Sequence, residues 1–561
     1  IRKLRVQKKE SPMSPLKHIS LLCIFFLLTS CTATNSITGQ VLVEGNPVEN
    51  AVVRVQSTKN HTRTDANGKF TLRGIESENP VNITAWAEGY FIGVAQDVTD
   101  NAEIHLEAHS TEDNPNYEWV SAFATERQDN CQKCHTDPAD ESLQLFNEWR
   151  DDTHAKSAAN SRFISMYNGT DLAGNQSPPT TYGQSTDYGR FPLRPDPEKP
   201  YYGPGYKLDF PETDGNCAAC HTPAASVNAP YGIDPTTVTG VATEGVTCDF
   251  CHKIWDVRLD PVSGLPLANM PGVLSYTILR PPDGHQFFAG PLDDVAPGED
   301  TYSPLQQQSQ FCAPCHFGVF WDTVIYNSFG EWLESPYSDP ETGQTCQDCH
   351  MPPRGATQFA ITEAGGLERD PATIFSHKMP GAADAELLQN ALTMNVNAHQ
   401  AEGKVVVEVE LINDKTGHHI PTDSPLRQLI LLVQVTDENG ENLEQIEGSV
   451  IPKWGGIGNP NEGYYAGLPG NGHAKILMEL WTEISPTGAY WNPTHILSDN
   501  RIPAMESDTT TYIFQTSENL ETSEVSVEVK LLFRRAFIEL MAQKGWDDAD
   551  ILMEEEIIEL P

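Results

Sequence analysis

Alternating runs of apolar and polar residues open and close this chain, and its middle has no such period. From Ser36, "ITGQVLVEGNPVENAVVRVQ" and "TDANGKFTLRGI" are short β-branched runs broken by Gly, Asn and Pro. A period of two places one set of side chains on one face of a strand, so these runs predict a small β-sandwich over 36–110. Near the other end, "KVVVEVELIND", "LRQLILLVQVTDENGENL", "TTTYIFQTS" and "SEVSVEVKLLF" alternate in the same way, with "DENG" as a hairpin turn. They predict a C-terminal β-sandwich over 395–535, followed through 536–561 by a short helix near "RRAFIELMAQKGW" and an acidic tail. "TEDNPNYEW" reads as a linker, and 117–385 predicts helices and loops with little regular structure. The expected class is multidomain α+β, two β-sandwiches flanking a central region without a long element of its own.

One continuous apolar run, Ile19 to Leu28, follows the short basic start Met13-Ser-Pro-Leu-Lys-His18 and precedes Leu28-Thr-Ser-Cys31. Ten residues are too few to cross a bilayer as a helix. The pattern predicts an export signal over 1–30, with translation starting at Met13 and a lipobox that makes Cys31 the lipidated first residue of the mature chain. Thr32 rather than Asp follows, which resembles the sorting of outer-membrane lipoproteins. The expected location is therefore the outer membrane, on its periplasmic face or at the cell surface, with the lipid as anchor.

Charge and composition narrow the partners. The 561 residues hold 36 Lys+Arg against 78 Asp+Glu, a net charge of −42. Such a surface repels nucleic acid and anionic lipid and favours a self-repelling acidic protein. With 39% hydrophobic residues, 41 Gly and 41 Pro, aliphatic side chains alone fill little of a central core.

The cysteines supply what is missing. Of 12, Cys23 and Cys31 belong to the N-terminal signal, and the other ten form five CxxCH units: Cys131, Cys134 and His135; Cys217, Cys220 and His221; Cys248, Cys251 and His252; Cys312, Cys315 and His316; Cys346, Cys349 and His350. Zinc sites pair CxxC motifs or add distant histidines, and five pairs do not share out evenly. Redox CxxC pairs have no need of a following histidine. Covalent haem attachment needs all three residues, two thiols for the two vinyl groups and a histidine turned under the iron. The reading is five covalently bound haem c. They lie between residues 131 and 350, about 44 residues of chain each, so the macrocycles must wall one another and fill the core.

Six histidines outside these units, His154, His285, His377, His399, His418 and His419, compete to be the second axial ligands. His154 in "EWRDDTHAKSAANSRF" reads as helical, and His377 in "IFSHKMPG" and His418 in "TGHHIPTD" as loop ligands, with His285 and His399 as further candidates in turns. Met166, Met270 and Met351 are weaker substitutes. His61, His105 and His109 read as surface residues, and His473 and His495 lie too late in the chain to assign.

The motifs "GxVxxxGxPVxxAxVxV" and "TDxNGxF" in the first sandwich resemble the carboxypeptidase regulatory-like domain, which implies a stalk or docking module without catalytic residues. "GVTCDFCHK", "CAPCHFGVFW", "YNSFGEWLESPY" and "TCQDCHMPPR" make 117–430 resemble the multihaem cytochromes c related to the tetrahaem electron carrier of ammonia oxidisers. That resemblance implies His135, His221, His252, His316 and His350 as proximal and His154, His377 and His418 as distal ligands. A fifth unit and two β-domains depart from the tetrahaem pattern. The pentahaem ammonia-forming nitrite reductases match in number but use CxxCK at their catalytic haem, and every unit here ends in His. The expected function is a lipid-anchored electron carrier working with redox partner proteins, either other cytochromes or a membrane oxidoreductase, and passing electrons onward to an acceptor that includes extracellular ones. Oligomer or filament assembly fits the histidine count. The competing expectation is a reductase or oxidase of a small nitrogen or sulfur compound at one open haem, lined by Tyr326, Trp332 and His285.

Overall fold

The computed structural model describes residues 35–75, 79–516 and 524–561. The expected export signal over 1–30 and the lipidated Cys31 lie outside the described residues. Among those described, no helix is long and apolar enough to cross a membrane.

The first sandwich forms as its alternation requires. Strand Asn35–Val43 pairs antiparallel with Lys69–Ile75 and parallel with Asn101–His105. The facing sheet is built from His61–Arg63, Val52–Val55, Val81–Trp86 and Gly93–Val98 in that order. Ile37, Val41, Val53, Phe70, Leu72, Ile83 and Ile104 turn inward as one buried cluster. Gly39 is needed there, because a Cβ at that position would stand 2.1 Å from the Ala102 carbonyl oxygen and 2.5 Å from the Phe70 ring.

The C-terminal sandwich packs the sheet Thr393–Ala401, Lys404–Ile412, Ser507–Gln515 and Glu444–Glu447 against a five-stranded sheet. That second sheet runs Thr494–Asp499, Gly470–Glu479, Gln428–Thr436, Val525–Arg534, Ile551–Leu560. Val405, Val407 and Val409 meet Leu429, Leu431, Val527 and Val529 between the layers. The tail is corrected by this topology. After helix Ile538–Lys544 the chain returns as strand Ile551–Leu560, antiparallel to Val525–Arg534 across a bulge at Leu531/Leu532. The run "MEEEIIEL" reads as a solvated tail because this edge strand keeps Glu554, Glu555 and Glu556 on or near the surface while only Met553 and Leu560 are buried.

Between the sandwiches the chain is loops and short elements, the longest helix being Ser161–Asn168. Asn160 caps it by accepting from the Arg162 and Phe163 amides, and Gly169 ends it in the left-handed region at φ 71°. The first sandwich docks on this region through Arg54, which holds Asp293 with two bonds of 2.7 and 2.9 Å, and through Trp86, which donates to Thr301. His61 and His105 are exposed, but His109 is only 5% exposed. It packs edge-on to Phe91, Trp255 and Phe287, so its surface reading is corrected. A histidine in an apolar interface is neutral, and burial lowers its pKa.

Lys544, the last residue of its helix, fastens the C-terminal domain to the central region. Its fully buried amine donates to the Ser165, Thr170 and Pro204 carbonyls. Lys544→Met leaves three carbonyls without that donor and is expected to cost about 2 kcal/mol. Burial presses the amine down to about 7, below the unfolded value of about 10.4. Between those values the unfolded chain binds more protons, so this group makes stability rise with pH across that window. Urea midpoints compared at about pH 7 and about pH 9.5 should show a steeper gain in the wild type than in Lys544→Met.

Candidate functional site

Each CxxCH unit sits on a single helical turn or a tight loop. Cys346–His350 is closed by a capping box: Thr345 accepts from the Asp348 amide, and the Asp348 carboxylate accepts from the Thr345 amide. Cys248–Cys251 begins with Thr247 accepting from the Phe250 amide. All ten cysteines are free. Burial pushes the Cys217 and Cys251 thiols up to about 12, the opposite of what a redox or zinc thiolate needs. Among the described residues no group of three or more His, Cys, Asp or Glu converges as a metal cage.

The histidines are oriented by their Nδ1 atoms. His135 Nδ1 is 2.8 Å from the Phe359 carbonyl, His252 Nδ1 is 2.9 Å from that of Ala289, and His350 Nδ1 is 2.8 Å from that of Pro380. His221 Nδ1 lies 3.4 Å from the Ser157 carbonyl. A carbonyl acceptor fixes the proton on Nδ1 and frees Nε2, the orientation a metal-ligating imidazole takes. His316 alone has no carbonyl there, and its Nδ1 lies 3.8 Å from the Asp423 carboxylate.

Three of the predicted distal histidines come to these units. His154 faces His316 with ring centres 6.2 Å apart, and His418 faces His350 at 6.5 Å. Gaps of this width leave room for a haem iron that His154 with His316, and His418 with His350, would ligate together. His377 is lowered to about 4, by burial first and then by His252, with His135 a smaller influence. His154 stands on a turn after helix Leu145–Asp151 rather than on the expected helix, and Asp152 holds it there through both its amide and its Nδ1. His285 and His399 are exposed, on a turn and on the edge strand Thr393–Ala401. His419 turns away toward Glu331.

His221 differs from the others. Burial lowers it to about 4. Phe163 stacks on its ring at 3.7 Å. Beside this unit opens a cavity of about 550 Å³ lined by Tyr206, Phe210, Met270, Phe317 and Trp491. The cavity has the size and the aromatic walls that a flat, apolar macrocycle requires. Tyr326 and Tyr490, 5.4 Å apart, lie within the field of Cys217. Burial raises both phenols, that of Tyr490 to about 12, so both keep their protons. Sequence reasoning named Tyr326 and missed Tyr490, which no motif marks. Trp332, also named, packs instead on Phe329 and donates to the Gln344 carbonyl.

The five units touch. The Cys131 and Cys248 side chains pack on one cluster, and Cys220 lies close enough to Cys315, and Cys312 to Cys346, for each to shift the other's pKa. Cys251 and Cys315 pack on one apolar cluster around Phe250 and Tyr276. The fourth unit therefore borders the second, third and fifth, and the first is reached through the third. The donor set, the anchored imidazoles and the walls fit haem c.

Residues 36–107 match the carboxypeptidase regulatory-like domain family. No curated protein matches the chain. Among solved structures, a penta-haem cytochrome c552 from Thermochromatium tepidum is similar over 74% of this chain and 96% of its own, at 18% identity and a TM-score of 0.48. A family 123 glycoside hydrolase from Clostridium perfringens is similar over 30% and 27%, at 7% identity and a TM-score of 0.13. At these TM-scores neither likeness fixes a shared fold.

Proposed function

We propose that this protein is a pentahaem c-type cytochrome that carries electrons between redox partner proteins outside the cytoplasm, lipid-anchored through Cys31. The observation that carries the reading is that five of five CxxC pairs end in a histidine, four of them anchored at Nδ1 by a backbone carbonyl. Haem supplies a one-electron iron couple when bound. The chain supplies the spacing: cysteines of neighbouring units lie close to one another, and the two β-sandwiches flank the region that bears them. An acidic surface favours basic partners and repels copies of itself. Relation to the tetrahaem carrier of ammonia oxidisers, an outer-membrane position and an extracellular acceptor belong to the same proposal.

The second reading, reduction or oxidation of a small nitrogen or sulfur compound at one open haem, has one observation in its favour. The three histidines that approach the units, His154, His377 and His418, cannot serve all five, and Tyr326 and Tyr490, kept protonated by burial, lie near enough to Cys217 of the second unit to feel its charge. Pyridine haemochrome should count five haems per chain, and EPR of the oxidised protein should show low-spin iron with a high-spin minority. Uniformly low-spin iron removes the second reading, and fewer than five haems removes the first.

A further inference from the structure

The two pairs of facing histidines are backed differently. In the His350 and His418 pair both Nδ1 atoms meet backbone carbonyls, of Pro380 at 2.8 Å and His419 at 2.9 Å. In the His316 and His154 pair both meet carboxylates. Asp152 Oδ1 is 2.7 Å from His154 Nδ1, and Asp423 Oδ2 is 3.8 Å from His316 Nδ1. Asp152 is 8% exposed and, among the described residues, pairs with no lysine or arginine, so little screens its charge. Asp423 holds its place at a backbone φ of 66°, strained for a residue other than glycine, with Arg427 3.7 Å away. Arg427 offsets part of the Asp423 charge while also donating to the Thr422 carbonyl.

We propose that Asp152 and Asp423 are positioning residues that make the fourth site the lowest-potential station among those with paired histidines. This rests on the haem reading above. Asp152, accepting the His154 Nδ1 proton, raises the donor strength of Nε2, and Asp423 adds negative charge beside His316; both would favour the more positive, oxidised metal. The fourth site is also the junction, bordering the second, third and fifth. Relative to the fifth site, the fourth would therefore hold an electron less readily and pass it on.

The test is a potentiometric titration of the full-length holoprotein, followed by visible absorption and EPR, for the wild type, Asp152→Asn, Asp423→Asn and the double variant. Each single change should shift one low-spin couple, the same one, toward reduction by about tenfold in its equilibrium, about 59 mV for one electron, with the double variant further still. The other four couples should hold. Asp423→Glu keeps the charge and should keep the wild-type midpoint. No shift, or an equal shift in all five couples, overturns the inference. If Asp152→Asn loses haem, Asp423→Asn and Asp423→Glu decide it alone. A wild-type preparation without haem by pyridine haemochrome overturns the haem reading itself, which separates the two failures.

Discussion

Glu331→Ala should lower the stability of the holoprotein by about 3 kcal/mol and loosen the fifth site together with it. Glu331 is 2% exposed on helix Ser328–Leu333 of the central region, and it receives Arg501 Nη1 of the C-terminal domain at 2.6 Å. It also accepts from the Thr422 hydroxyl and from the His419 amide. Its pKa is set by burial, which raises it, and more than offset by Arg501 and its other partners, which hold it below the ordinary range. Removing one partner of a buried ion pair leaves the other charge uncompensated, at about 3–5 kcal/mol. Arg501 retains Asp499, so the lower end applies. The His418–His419 segment then loses its tether, and His418 is the ring that faces His350. A lower urea midpoint should accompany a broadened EPR signal from one low-spin centre, while Glu331→Gln, which keeps an acceptor, should do less on both counts. An Ala variant that melts like the wild type would show that the pair holds neither the domains nor the loop.

The flanking sheets were legible because alternation is a local property: Val405, Val407 and Val409 announce a buried face whatever they pack against. The CxxCH units were legible for a chemical reason, since each residue of the motif has a separate task. What the sequence did not disclose is set by long-range approach. His109 reads as the end of a surface strand until the Trp255 and Phe287 rings close over it. Tyr490 carries no motif, and Asp423 is the unremarked last residue of "TGHHIPTD", yet the loops that bear them reach the second and fourth units from a different domain. His285 and His399 looked equivalent to His154 in a count of histidines. Only a neighbouring acceptor separates them, because Asp152 stands two residues from His154 and fixes its ring, whereas His285 and His399 sit exposed. The strand Ile551–Leu560 was hidden by its own acids, which an edge strand tolerates on the solvent side.

Lys253→Met should cost about 3–5 kcal/mol, and Asp249→Asn combined with it should recover most of that loss. Lys253 and Asp249 are 0% and 1% exposed, four residues apart across the third CxxCH unit, with the amine 2.6 Å from the carboxylate. Asp249 further accepts from the Tyr117 hydroxyl at 3.0 Å and the Val120 amide at 2.8 Å, which ties the linker to the unit. The ammonium sits over the Phe288 ring at 3.9 Å. Burial lowers the Lys253 pKa and Asp249 opposes it, so each charge is stable only while the other is present. Met fills much of the lysine stem's volume, and the single variant therefore reports the unpaired carboxylate rather than a cavity. With Asn at 249 the two donors from Tyr117 and Val120 still find an acceptor and no charge remains to be compensated. Urea midpoints of the two single variants and the double variant close the cycle. If the double variant is as unstable as the sum of the singles, the pair is not coupled, and the third unit is held by packing around Phe250 alone.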